Sequence, residues 1–108
     1  MAYDEGLAQR VREAMDRPGC TEKAMFGGLC FLIGGNMACG IVRDELMVRV
    51  GPDAYSESLA LPHAREMDFT GRVMRGMVYV GTAGLESDDA LHDWVARGMA
   101  YAASLPAK

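Results

Sequence analysis

The sequence predicts an α+β fold: a two-layer sandwich of one mainly antiparallel sheet and three helices, in the order α-β3-α-β2-α. Three observations carry this expectation. The stretch from Met25 to Val42 is almost wholly apolar, yet glycines punctuate it at 27, 28, 34, 35 and 40. It is too glycine-rich for a good helix and too interrupted to span a membrane, so it reads as buried strands. Leu46 to Val50 and Val73 to Val80 alternate with a period of two, the pattern of a sheet with two distinct faces. Leu91, Trp94, Val95, Met99, Ala102 and Leu105 recur at helical spacing and form the most regular apolar stripe in the chain.

The elements follow in order. Asp4 is a fitting N-cap for a first helix whose inner face carries Leu7, Val11, Ala14 and Met15. Arg17-Pro18-Gly19 ends it, because proline cannot continue a helix and glycine takes the left-handed exit. Thr21 to Phe26 reads as an approach to the sheet, and Gly27-Gly28 as a bulge or bend. Leu29 to Ile33 and Met37 to Val42 are the first two strands, joined by a glycine turn. After the polar turn Arg43-Asp44-Glu45 comes the third, Leu46 to Val50. Pro52 opens a short second helix with Ala54, Tyr55, Ser58 and Leu59 inward, closed by Leu61-Pro62. His63 to Thr70 is polar and irregular, with a brief strand at Glu66 to Asp68, and Val73 to Val80 is the last strand. Ser87 caps the third helix, Asp88 and Asp89 favour its positive end, and Pro106 stops it.

The chain has 108 residues, half of them apolar, which makes one domain over 1–108. A formal net charge of −4 argues against direct nucleic-acid binding, which rests on phosphate neutralisation by a basic face. No signal peptide or membrane span is visible. Three cysteines in apolar surroundings point to reduced, buried thiols and a cytoplasmic protein.

No catalytic constellation stands out. His92 sits on the polar face of the third helix, and His63 lies in a loop beside Pro62 and Arg65. Cys20, Cys30 and Cys39 contain no C-x-x-C pair, so neither a metal nor another cofactor is expected. If Gly34-Gly35 is the hairpin loop, Cys30 faces Cys39 across the strands; if the loop is Gly35-Asn36, Cys30 faces Ile41. Nine methionines either fill irregular core gaps or form an adaptable sheet face for a partner. Met47, Met77 and Tyr79 share strand faces with Arg49 and Arg75, which marks that side as the one away from the helices and as the candidate surface for a homodimer or another protein.

With these residues in view, the chain resembles the N-terminal domain of the TfoX/Sxy family of bacterial competence regulators. The resemblance rests on Ala2-Tyr3-Asp4-Glu5, on Lys23-Ala24-Met25-Phe26-Gly27-Gly28-Leu29-Cys30-Phe31, on Leu46-Met47-Val48-Arg49-Val50-Gly51-Pro52 and on Met67-Asp68-Phe69-Thr70-Gly71-Arg72. Asn36-Met37 and Val78-Tyr79-Val80 complete it. It implies a fold like that of type III secretion chaperones and a role in regulating competence genes alongside the cyclic-AMP receptor protein. Longer members carry a C-terminal helical domain resembling helix-hairpin-helix modules; this chain resembles a stand-alone N-terminal domain. The expected function is thus a non-catalytic regulatory or protein-interaction module. The alternative is a small-ligand-binding domain or cryptic enzyme using His63, Arg65, Asp68 and Arg72 with the Phe26-Gly27-Gly28 segment. The Asp68-Phe69-Thr70-Gly71 run also has turn-forming character, with Phe69 expected inside and Asp68 bonded to backbone or Arg72.

Overall fold

The computed structural model describes residues 3–16, 19–25, 27–66 and 76–107. Among these the order is α1 (Glu5–Ala14), β1 (Cys20–Met25), β2 (Gly28–Ile33), β3 (Asn36–Val42), β4 (Glu45–Arg49), α2 (Tyr55–Leu59), β5 (Ala64–Glu66), β6 (Met77–Val80), a 3-10 turn (Thr82–Leu85) and α3 (Asp88–Ser104). The strands form one sheet in the order β1-β2-β3-β4-β6-β5, every neighbouring pair antiparallel. The α+β class holds, with four strands rather than three before α2. The added strand is β1, where sequence suggested only an approach to the sheet. It is an edge strand whose residues Thr21 to Ala24 are exposed, so it lacks the apolar alternation that betrays a strand. β5 lies at Ala64–Glu66, slightly before its expected place. Phe26, the run from Met67 to Arg72, and Val73 to Arg75 lie outside the described residues.

Local chemistry sets the helix ends. The Leu7 N–H donates to Asp4 Oδ1 at 3.1 Å, and the Ala90 N–H donates to Ser87 Oγ at 3.1 Å. Both are N-caps that satisfy an otherwise orphaned donor. In α3, Leu91, Trp94, Val95, Gly98 and Ala102 are buried. They cross β3 and β4 and join Val11, Phe31, Ile41, Leu46 and Val48 in the main core between helices and sheet.

Gly98 is where α3 comes closest to the sheet. A β-carbon there would overlap the carbonyl of Ala38, with the Val48 side chain next nearest. The same residue, Ala38, is where the β2–β3 register slips. Ile33 pairs with Asn36 and Leu32 with Met37 around a Gly34-Gly35 turn, both glycines at positive φ. Then Phe31 pairs with Cys39, which leaves Ala38 as the extra residue of a β-bulge. Both Ala38 and Cys39 consequently lie in the helix-side core. The two glycines form the loop as the first register assumed, but the bulge sets Cys30 opposite Gly40, not opposite Cys39 or Ile41.

Candidate functional site

Alternation along the strands delivers Cys30, Met47, Met77 and Tyr79 to the sheet face away from the helices, where they form a second cluster with Met37 and Val42 packed against it. The sequence reading placed Met47, Met77 and Tyr79 on this face correctly but as an uncovered surface. They are 0%, 8% and 9% exposed, so the centre of this face is a core and not an open patch. Arg65, the register partner of Tyr79, lies with its guanidinium 4.6 Å from the centre of the Tyr79 ring. The same guanidinium makes two 2.8 Å hydrogen bonds to the Glu45 carboxylate, a forked pair across the β4, β6 and β5 strands. Arg49, at the end of β4, does not join this group: its guanidinium lies 5.3 Å from the centre of the Tyr101 ring on α3. Arg75 lies outside the described residues.

Of the alternative site, only His63, Arg65, Gly27 and Gly28 are among the described residues, and these four do not converge. His63 has φ +70°, and its carbonyl accepts a hydrogen bond from the Gly81 N–H at 3.1 Å. It is exposed at the rim of a cleft of about 430 Å³ that Leu61, Pro62, Gly84, Ser87, Asp93 and Trp94 also line, beside α3. Arg65 instead stacks on Tyr79 on the opposite face. Gly28 begins β2, four strand spacings across the sheet from β5, or about 19 Å at the usual interval of about 4.8 Å. Gly27, at φ +73°, and Gly28, where a β-carbon would overlap the Ile41 carbonyl, serve the β1–β2 connection and the close packing of β2 on β3. Phe26, Asp68 and Arg72 lie outside the described residues. His92 is exposed on α3.

The thiols are free, and the geometry separates them. Cys30 lies in the cluster away from the helices, Cys39 in the helix-side core. The Cys39 thiol donates to the Met15 thioether at 3.6 Å. Burial pushes both the Cys39 and the Cys30 thiols up, most strongly Cys39, so neither is a ready nucleophile. Among the described residues no three His, Cys, Asp or Glu side chains cluster to hold a metal ion.

Sequence reasoning set Ser58 and Tyr55 on the inward side of α2 without asking what their hydroxyls would meet. Both hydroxyls are buried without a hydrogen-bond partner among the described residues. A polar side chain at an inward helical position was the signal for them.

These features define a small α+β domain with two apolar layers and no converging catalytic groups among the described residues. The chain belongs to the TfoX N-terminal domain family, whose model matches residues 7–102. No curated protein and no solved structure matches it.

Proposed function

We propose that the chain is a non-catalytic regulatory module that works by contact with protein, either another copy of itself or a partner in bacterial gene regulation. The observation that supports this reading is the match to the TfoX N-terminal domain family over 7–102, taken with the resemblance to bacterial competence regulators. Among the described residues no helix is long and apolar enough to cross a membrane. Free thiols, those of Cys30 and Cys39 buried and that of Cys20 partly exposed, fit a reducing, cytoplasmic setting.

The contact is proposed to run over the sheet face away from the helices. Its centre is closed, but Leu32, Met37 and Val42 remain half-exposed on the β2–β3 side, bordered by the exposed Thr21 and Lys23 of β1. Apolar side chains with a polar rim are the ordinary make-up of such contacts. Met37→Glu tests this, because a half-exposed position tolerates a charge in the free chain but not in a dry interface. Light scattering reads the homodimer, and capture from the native host compares proteins retained by the wild type and by the variant. Loss of the dimer, or of a specific captured protein, on Met37→Glu supports the proposal. A monomeric wild type that retains the same proteins as the variant overturns it.

A further inference from the structure

On one side the sheet ends at β1, six residues from Cys20 to Met25 that pair along their whole length with β2. An edge strand directs the N–H and C=O groups of alternate residues outward, which makes it a template for one more strand. β5, the edge at the other side, has only three residues. β1 contains no proline, its register with β2 has no bulge, and Thr21 to Ala24 are exposed. It is the edge long enough to accept a further strand.

Two charges lie side by side on β1 and on opposite faces of the sheet. Glu22 pairs with Phe31 and belongs to the helix side, whereas Lys23 pairs with Cys30 and belongs to the other face. Their circumstances differ. Arg12 of α1 donates to both carboxylate oxygens of Glu22, at 2.6 and 3.0 Å, and neutralises it. Lys23 makes no ion pair among the described residues.

These charges decide what the edge can accept. A second copy would pair β1 with β1 antiparallel about a two-fold axis. That axis keeps each residue on its own face, and opposed residues share a face, so only residues of the same parity can be paired. The two registers that align all but one residue of each strand set Glu22 against Glu22 or Lys23 against Lys23. Their β-carbons would lie about 5 Å apart, and like charges directly opposite each other are destabilising. Any further slip leaves at most half of the strand paired. The edge thus rejects a second copy, and the same lysine attracts a foreign strand that brings a carboxylate.

We propose that β1 receives an extended segment of another protein, added to the six-stranded sheet as a further strand, with a carboxylate opposite Lys23 and uncharged side chains on either side of it. Backbone hydrogen bonds supply the binding, and the lysine supplies the selection. The position opposite Glu22 needs no cation, because Arg12 already provides one. The inference does not depend on the Met37 contact, whose failure would leave the β1 edge in place.

The test uses the full chain and the capped peptide Thr-Val-Thr-Glu-Thr-Val-Thr, with its central glutamate replaced by lysine as the second probe, read by amide chemical shifts. The glutamate peptide is expected to give saturable shifts centred on Cys20 to Met25. It should bind about fivefold tighter than the lysine peptide, the upper range for one cross-strand charge pair, and the difference should shrink with added salt. Lys23→Glu, at an exposed position that leaves the fold intact, should reverse the preference. Shifts that do not saturate or that centre away from β1, or an unchanged preference in Lys23→Glu, would each overturn the inference. So would β1 shifts that grow with concentration of the chain alone, which would give the edge to a second copy.

Discussion

The two faces of the sheet are built from different materials. The helix-side face is closed mainly by branched aliphatics, Val11, Ile41, Leu46, Val48, Val78, Val80, Leu91 and Val95, with Trp94, Phe31, Cys39 and one methionine, Met15, among them. The other face is closed by Cys30, Met47, Met77 and Tyr79. Branched side chains have few rotamers and fit fixed partners, as two regular layers present them. Methionine is flexible and fills irregular space. The contrast fits a first face packed against regular helices.

The sharpest way to break this comparison is at Gly98, where the helix layer touches the sheet. Gly98→Val sets side-chain atoms against the Ala38 carbonyl and the Val48 side chain. Neither the bulged backbone nor the helix can move without opening the core. We expect a loss of more than about 3 kcal/mol, the upper range for overpacking, or failure to fold. Even Gly98→Ala should destabilise, although alanine is intrinsically better in a helix by about 1 kcal/mol. Urea unfolding of the alanine variant decides the point: a stabilised chain would mean that α3 does not lie this close to β3.

Next in size is Met47→Ala on the other face. Met47 is fully buried, so truncation should cost about 2–5 kcal/mol, as in any core. Had the face been open, as the arginines at 49 and 75 suggested, the same change would stay within about 0.5 kcal/mol. The denaturation midpoint therefore measures how closed the second face is. A change within the smaller range would restore the open-patch view.

What was legible follows a physical rule. Features encoded within one turn or one strand could be read directly: the Asp4 and Ser87 caps, the Leu91–Ala102 stripe, and the shared face of Met47, Met77 and Tyr79. Features set by what lies opposite could not. Thr21 to Ala24 of β1 are exposed, so only the hydrogen bonds to β2 make it a strand. The Ala38 bulge is matched to Gly98, sixty residues later, and nothing local announces it. Alternation told which face Met47 occupies but not whether that face is covered. Arg49 was read as marking an open face, yet at a strand end its long side chain reaches Tyr101. In the candidate site, His63 and Arg65 looked convergent because they are close in sequence. β5 presents Arg65 to the face of Tyr79, while His63, just before the strand, borders a cleft beside α3.

The smallest expected effect separates the two thiols by pH. Burial raises the Cys39 thiol, so the folded chain keeps that proton where the unfolded chain releases it. Below the ordinary thiol value of about 8.5 both states are protonated and stability is independent of this group. Above it the folded state binds more protons than the unfolded state, so stability falls as pH rises. One unit above the ordinary value, at about pH 9.5, Cys39 alone should account for a loss of about 1.4 kcal/mol. Cys30 is shifted in the same direction by the same cause and adds to the slope. Cys39→Ala removes a buried sulfur and lowers stability at neutral pH, but it should flatten the decline between about pH 7 and about pH 9.5 by the amount assigned to Cys39. Every group other than Cys39 is common to the two proteins, so its contribution cancels in the difference. The measurement is urea unfolding of the wild type and the variant across that range, under reducing conditions. Parallel curves would mean that the Cys39 thiol ionises as readily in the folded chain as in the unfolded one, and that the helix-side core is open to water at β3.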